Sequence, residues 1–170
     1  MGSASPSGWP LSLFTWSSSN RLAYSATYTV SIKAPQAKVF EYLADVSRHG
    51  EWGSSDDRMK ISAEKPGPPA VGARYQADAL LNGKQNKSVV KITALEPTKR
   101  IGFDAEDSNS VFHHEFILTP EGDGTRFERR VTMTKGPFYF PLVLRIFKST
   151  VVKNYDGAMQ NAKAKLESGV

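Results

Sequence analysis

Apolar and polar residues alternate early in the chain. Tyr28, Val30 and Ile32 interleave with Thr27, Thr29 and Ser31, the period of a half-buried β-strand. Ala34-Pro35 stops that strand and opens a helix on which Val39, Phe40 and Leu43 share a face. Asp45 is placed to cap a second short helix running to about Trp52. Six further strands are predicted between turn signals: 58–64, 73–81, 87–95, 100–106, 111–119 and 125–134. Asn82-Gly83 is a hairpin signal, and Pro120-Glu121-Gly122-Asp123-Gly124 joins the last two strands. After Gly136-Pro137 the period becomes helical. Val152, Tyr155, Met159, Ala162 and Leu166 form one stripe, with Leu144 and the stem of Lys148 extending it backwards. The helix is predicted from near Pro141 to Glu167, about 40 Å at 1.5 Å per residue.

A stripe of that length needs a partner, and only the sheet is large enough. The expected fold class is α+β: a curved seven-stranded antiparallel sheet wrapped around a long C-terminal helix, with two short helices after the first strand. Residues 1–22, rich in Ser, Gly and Pro, read as a tail, and residues 23–170 as one ligand-binding domain. Trp9, Leu11, Leu13, Phe14 and Trp16 give that tail a candidate membrane-surface or partner-docking segment, set against a tail that packs on the domain or stays loose.

Strand phase selects the inward side chains. On the sixth strand the more apolar set is Phe112, His114, Phe116 and Leu118; on the seventh it is Phe127, Arg129, Val131 and Met133. Tyr75, Ala77, Ala79 and Leu81 face in from the third strand, and Ile101, Phe103 and Ala105 from the fifth. This puts His114, Arg129 and the hydroxyls of Tyr75 and Tyr155 among apolar groups. Arg129 then either meets an anionic or carbonyl oxygen of a ligand, or pairs with a carboxylate such as Asp104 or Glu115, or sits at an open end. His114 is either its neighbour in a site or a hydrogen-bonded core residue. Trp52, Phe138 and Tyr139 are placed to gate a pocket mouth or to pack as ordinary core.

Composition removes several classes of chemistry. The chain has no cysteine, which excludes disulfides, thiol catalysis and zinc-thiolate or iron–sulfur sites and is compatible with a reducing cytoplasm. Only His49, His113 and His114 are histidines, and adjacent His113 and His114 point to opposite faces of a strand, so no metal site and no cofactor is expected. No serine lies in a Gly-x-Ser-x-Gly elbow. Twenty-two Lys plus Arg against 17 Asp plus Glu leave a net charge of +5. The densest basic stretch, Lys84, Lys87, Lys91, Lys99 and Arg100, is too scattered for a nucleic-acid stripe. No apolar run approaches the ~18 residues of a membrane span.

The element order resembles the START and polyketide-cyclase superfamily (SRPBCC), whose fold is the helix-grip and of which the major birch pollen allergen is a member. The resemblance covers about residues 26–168. It rests on Ile32-x-Ala34-Pro35-x-x-x-Val39-Phe40-x-x-Leu43-x-Asp45, Trp52, Val71-Gly72-Ala73-Arg74-Tyr75, Ile92-x-x-x-Glu96-Pro97-x-x-Arg100-Ile101-x-Phe103, and the closing helix to Leu166-Glu167. It implies an apolar cavity between sheet and helix, and binding or transport of a hydrophobic lipid- or polyketide-like molecule there. The expected lining is Trp52, Tyr75, Ala77, Ala79, Phe103, Phe112, His114, Phe116, Arg129, Val131, Phe138, Val152, Tyr155 and Met159. The alternative is a polyketide cyclase or dehydratase using His114, Arg129 and Tyr155 for acid–base chemistry in the same cavity. A monomer or homodimer fits either reading.

Overall fold

The computed structural model describes residues 24–53, 59–81 and 84–169. The tail 1–22 lies outside the described residues. β1 (Ser25–Ile32) buries Tyr28, Val30 and Ile32 and exposes the residues between them, as the alternation requires. α1 (Gln36–Ala44) and a 3-10 helix (Val46–Glu51) follow; Asp45 accepts a hydrogen bond from the Ser47 amide at 3.1 Å and caps the second. On α1 the buried face is Val39, Tyr42 and Leu43, while Phe40 is half-buried. Then come β2 (Met59–Ala63), β3 (Arg74–Leu81), β4 (Lys84–Glu96), β5 (Arg100–Glu106), β6 (Val111–Glu121) and β7 (Gly124–Lys135).

All neighbours are antiparallel, in the order β1-β7-β6-β5-β4-β3-β2. The first and second strands are thus the two edges, and α1 with the 3-10 helix spans between them. The 3-10 helix approaches β2 so closely that a Cβ on Gly50 would stand 2.5 Å from the Met59 carbonyl oxygen, which requires glycine there. Register shifts leave Thr93 of β4 and Thr134 of β7 as extra residues, irregularities of the kind that curve a sheet.

The predicted single C-terminal helix is two. α2 (Phe140–Ile146) and α3 (Lys148–Glu167) meet at Phe147, whose φ of −91° and ψ of 20° leave the helical region. Neither Gly nor Pro stands at the break, so apolar periodicity runs straight through it. Tertiary contacts set the two directions: Phe140 packs on Phe112 of β6, and Tyr155 stacks on Tyr28 of β1. α3 is therefore about 30 Å long rather than 40, and Lys148, expected to lie along the stripe, is exposed. Ala158, Met159, Ala162 and Leu166 form the buried face of α3 within one core cluster with Ile32, Leu43 and Phe127. No described helix is long and apolar enough to cross a membrane.

Candidate functional site

Two inward rows of the sheet build the site. One runs Tyr28, Arg129, Phe116, Ile101 across β1, β7, β6 and β5; the next runs Val131, His114, Phe103, Ile92 across β7, β6, β5 and β4. His49 and Trp52 enter from the 3-10 helix and its cap, and Tyr155 from α3.

Arg129 occupies the middle of this assembly. Its guanidinium carbon lies 4.7 Å from the Tyr155 ring centre, 5.4 Å from Phe116 and 5.7 Å from Trp52, so three aromatic rings surround the charge. Nη2 donates to His114 Nδ1 at 3.4 Å. Nε is sealed from solvent and without a hydrogen-bond partner. No carboxylate pairs with Arg129 among the described residues: Asp104 takes His113 at 2.6 Å, and Glu115 takes Arg100 Nε at 3.0 Å, both on the outer face. Burial pulls the guanidinium below its ordinary value, with Tyr155 and Tyr28 acting in the opposite sense.

Both buried histidines are neutral. His114 is 5% exposed and stacks on Phe103 at 4.8 Å and 12°. Burial first, then the Arg129 charge, holds it well below the usual histidine range. Because arginine only donates, the contact makes Nδ1 the acceptor and leaves the proton on Nε2. His49 donates Nε2–H to the Leu43 carbonyl at 2.7 Å, and burial lowers it to about 4. Trp52 is 1% exposed, lies 4.9 Å from His49, and its Nε1–H has no acceptor. Trp52 and Arg129 thus each bury an unmet donor, and each such group costs about 1–3 kcal/mol until an acceptor arrives.

A belt of phenols continues outward. Tyr155 stacks on Tyr28 at 4.9 Å, and the Tyr28 and Tyr24 hydroxyls stand 3.5 Å apart. Burial raises all three phenols, so each remains a protonated donor at neutral pH. Tyr24 then contacts Phe112 at 6.4 Å, and Phe112 contacts Phe140 of α2.

The structure brings Trp52, Phe103, His114, Phe116, Arg129 and Tyr155 together. Val131 and Met159 are buried in the same cluster, and Phe112 and Val152 are half-buried at its edge. Tyr75 and Ala77 are buried on β3, separated from Arg129 by β4, β5 and β6, and Ala79 is half-buried there. Phe138, read as a gating or core residue, is 81% exposed and so is not core, while Phe140 packs on Phe112. Sequence reasoning passed over His49, Tyr24 and Tyr28. The phase of β1 already put Tyr28 on the inward face, and His49 lies one 3-10 turn before Trp52.

Two hollows lie beside the C-terminal helices, and neither is lined by Arg129, Trp52 or Tyr155. At the inner end the rings of Trp52, Phe116 and Phe127 meet at 5.1 to 6.5 Å. One hollow of about 260 Å³ lies between Asp107, Ser110, Pro137, Tyr139, Phe140 and Val143, and another of about 670 Å³ lies along Ser149, Val152, Lys153, Asp156 and Gln160. The first adjoins α2, and the second is bounded by α3 residues alone.

A profile of the family described as polyketide cyclase/dehydrase and lipid transport matches residues 23–167. No curated protein matches the sequence significantly. Among solved structures, a START superfamily protein from Mycobacterium smegmatis superposes with a TM-score of 0.66 at 13% identity, covering 86% of this chain and 99% of the other. Ara h 8.0201 gives 0.67 at 14%, covering 86% and 99%. The di-domain ARO/CYC BexL from the BE-7585A biosynthetic pathway gives 0.68 at 18%, covering 88% of this chain and 52% of that one. These likenesses share the helix-grip fold.

Proposed function

The chain belongs to the polyketide cyclase/dehydrase and lipid transport family, and from that premise we propose that it binds a hydrophobic, lipid- or polyketide-like molecule through a carboxylate, enolate or carbonyl oxygen. The observation that carries this reading is Arg129: a cation among three rings with no carboxylate partner among the described residues. An oxygen reaching Arg129 and Trp52 Nε1 would meet both unmet donors at once, while the Tyr24, Tyr28 and Val152 surfaces cover an apolar body. A charge-assisted bond of this type contributes roughly 1.5–3 kcal/mol. The test is titration with a fluorescent fatty acid and its methyl ester. The acid is expected to bind at least about tenfold more tightly, and Arg129→Met to erase that preference. Equal affinities in the unaltered protein would remove the reading.

A second reading is a cyclase or dehydratase. It is supported by the Tyr155 ring against Arg129, which sets a phenol beside a cation able to stabilise a developing enolate. His114 fits the role of acid less well, since burial and Arg129 keep it uncharged. Turnover of a polyketide-like substrate that survives Tyr155→Phe and Arg129→Met would end this reading.

A further inference from the structure

α2 is apolar on every side. Of Phe140, Pro141, Leu142, Val143, Leu144, Arg145 and Ile146 only one is polar, and none is buried. A helix that is hydrophobic all round belongs inside something. Among the described residues its inner side is covered, through Phe140 on Phe112. The outer side shows Phe138, Leu142 and Ile146 at intervals of four, with Tyr139 and Phe147 beside them, at 81, 62, 68, 54 and 57% exposure. Of the six large apolar side chains exposed among the described residues, these are all but Val71. Scattered exposure is ordinary, but five in a stretch of ten residues is a patch that needs an occupant.

Charge identifies the occupant. From Arg129 to Tyr155 the chain contains no Asp or Glu, while Lys135, Arg145 and Lys153 carry positive charge; Arg130 is taken by Glu128 at 2.6 Å. Asp107, which lines the hollow beside α2, is already engaged by the Asn109 and Ser110 amides and the Ser110 hydroxyl; Asp156 follows on α3. A second copy would bring the same basic surface and be repelled. An anionic bilayer matches both features: apolar and aromatic side chains enter the interface while Lys and Arg reach the headgroups.

We propose that Phe138–Phe147 docks this protein on an anionic lipid surface, with α2 lying in the headgroup plane. Docking there presents the chain of contacts Phe140, Phe112, Tyr24 and Tyr28, which leads to Arg129, toward the bilayer. The proposal stands whether or not Arg129 holds a ligand.

Cosedimentation of the full chain with vesicles of phosphatidylcholine, with and without phosphatidylserine, tests it. Binding to the anionic vesicles is expected, falling as salt rises. The double variant Leu142→Asp, Ile146→Asp removes two exposed groups only; its circular dichroism and thermal midpoint are expected to stay unchanged while binding drops by about tenfold or more. Arg145→Glu is expected to weaken binding to anionic vesicles alone. Three results would overturn the proposal: no binding to anionic vesicles; undiminished binding by the double variant while Trp9→Ser with Trp16→Ser abolishes it, which would make the tail the contact; or a double variant that changes only the oligomeric state of the free protein, which would make α2 a contact between copies.

Discussion

The two ends of α3 lie against the same sheet, yet they are built differently. From Ala158 onward the helix presents Ala158, Met159, Ala162 and Leu166, all buried; before Ala158 none of its residues is buried, nor is any residue of α2. The closed end meets Leu43, Trp52 and Phe127 in the core and is fastened outside by Lys163, which donates to Ser31 O and Glu167. The open end holds the phenol belt, half-buried Val152 and the smaller hollow against α2. Arg129 stands between them. The difference teaches that one helix can divide its labour: the closed half stabilises the fold, which tolerates the unmet donors of Trp52 and Arg129 at its border.

The comparison breaks most sharply under truncation. Phe127 is fully buried, and Phe127→Ala is expected to cost about 3–5 kcal/mol in urea denaturation, whereas Val152→Ala at the open end is expected to cost under about 1 kcal/mol. Equal costs would mean that the two ends do not differ in packing.

Acid should attack the boundary between the ends. His49 takes up a proton near pH 6.5 when unfolded but only near 4 when folded. Between those values the unfolded chain binds the extra proton, so stability is full above pH 6.5 and declines as pH falls toward 4. The shift corresponds to about 3 kcal/mol at most, and His114, lowered for the same reasons, adds in the same direction. Thermal midpoints from pH 7 to 4 measure the slope, and His49→Leu is expected to flatten it. A slope unaltered by that change would assign acid sensitivity elsewhere.

Arg129→Met sharpens the division between stability and function. Removing a half-buried cation with no carboxylate partner among the described residues is expected to leave stability unchanged or raise it by about 1 kcal/mol, while binding of an acidic ligand is lost. A large destabilisation would instead make Arg129 part of the closed end. The smallest effect is expected at the surface: Lys163→Met removes a half-exposed ion pair and should cost under about 1 kcal/mol by the same denaturation assay.

Much of this was legible in strand phase. Phe116, His114, Arg129 and Val131 fall on the inward face because side chains alternate with period two, and a single misphased residue would have turned them all outward. Seven strands, the two short helices and the Asp45 cap follow from turn residues and local periodicity. The break at Phe147 was not legible, since no local signal marks it and its cause is the separate anchoring of Phe140 and Tyr155. Nor was the outward turn of Phe138, which depends on which of two neighbouring aromatics Phe112 accepts. His49 was legible only as a residue type, because its role depends on the Leu43 carbonyl six residues earlier.

The sequence by itself determined which side chains share a face, because that depends only on residue period within each strand or helix. Tertiary structure alone decided which faces meet and which charges remain unpaired. Strand phase already turns Asp104 and Glu115 to the outer face; that they meet His113 and Arg100 there, and that no other described carboxylate packs against Arg129, follows from which elements the fold brings together.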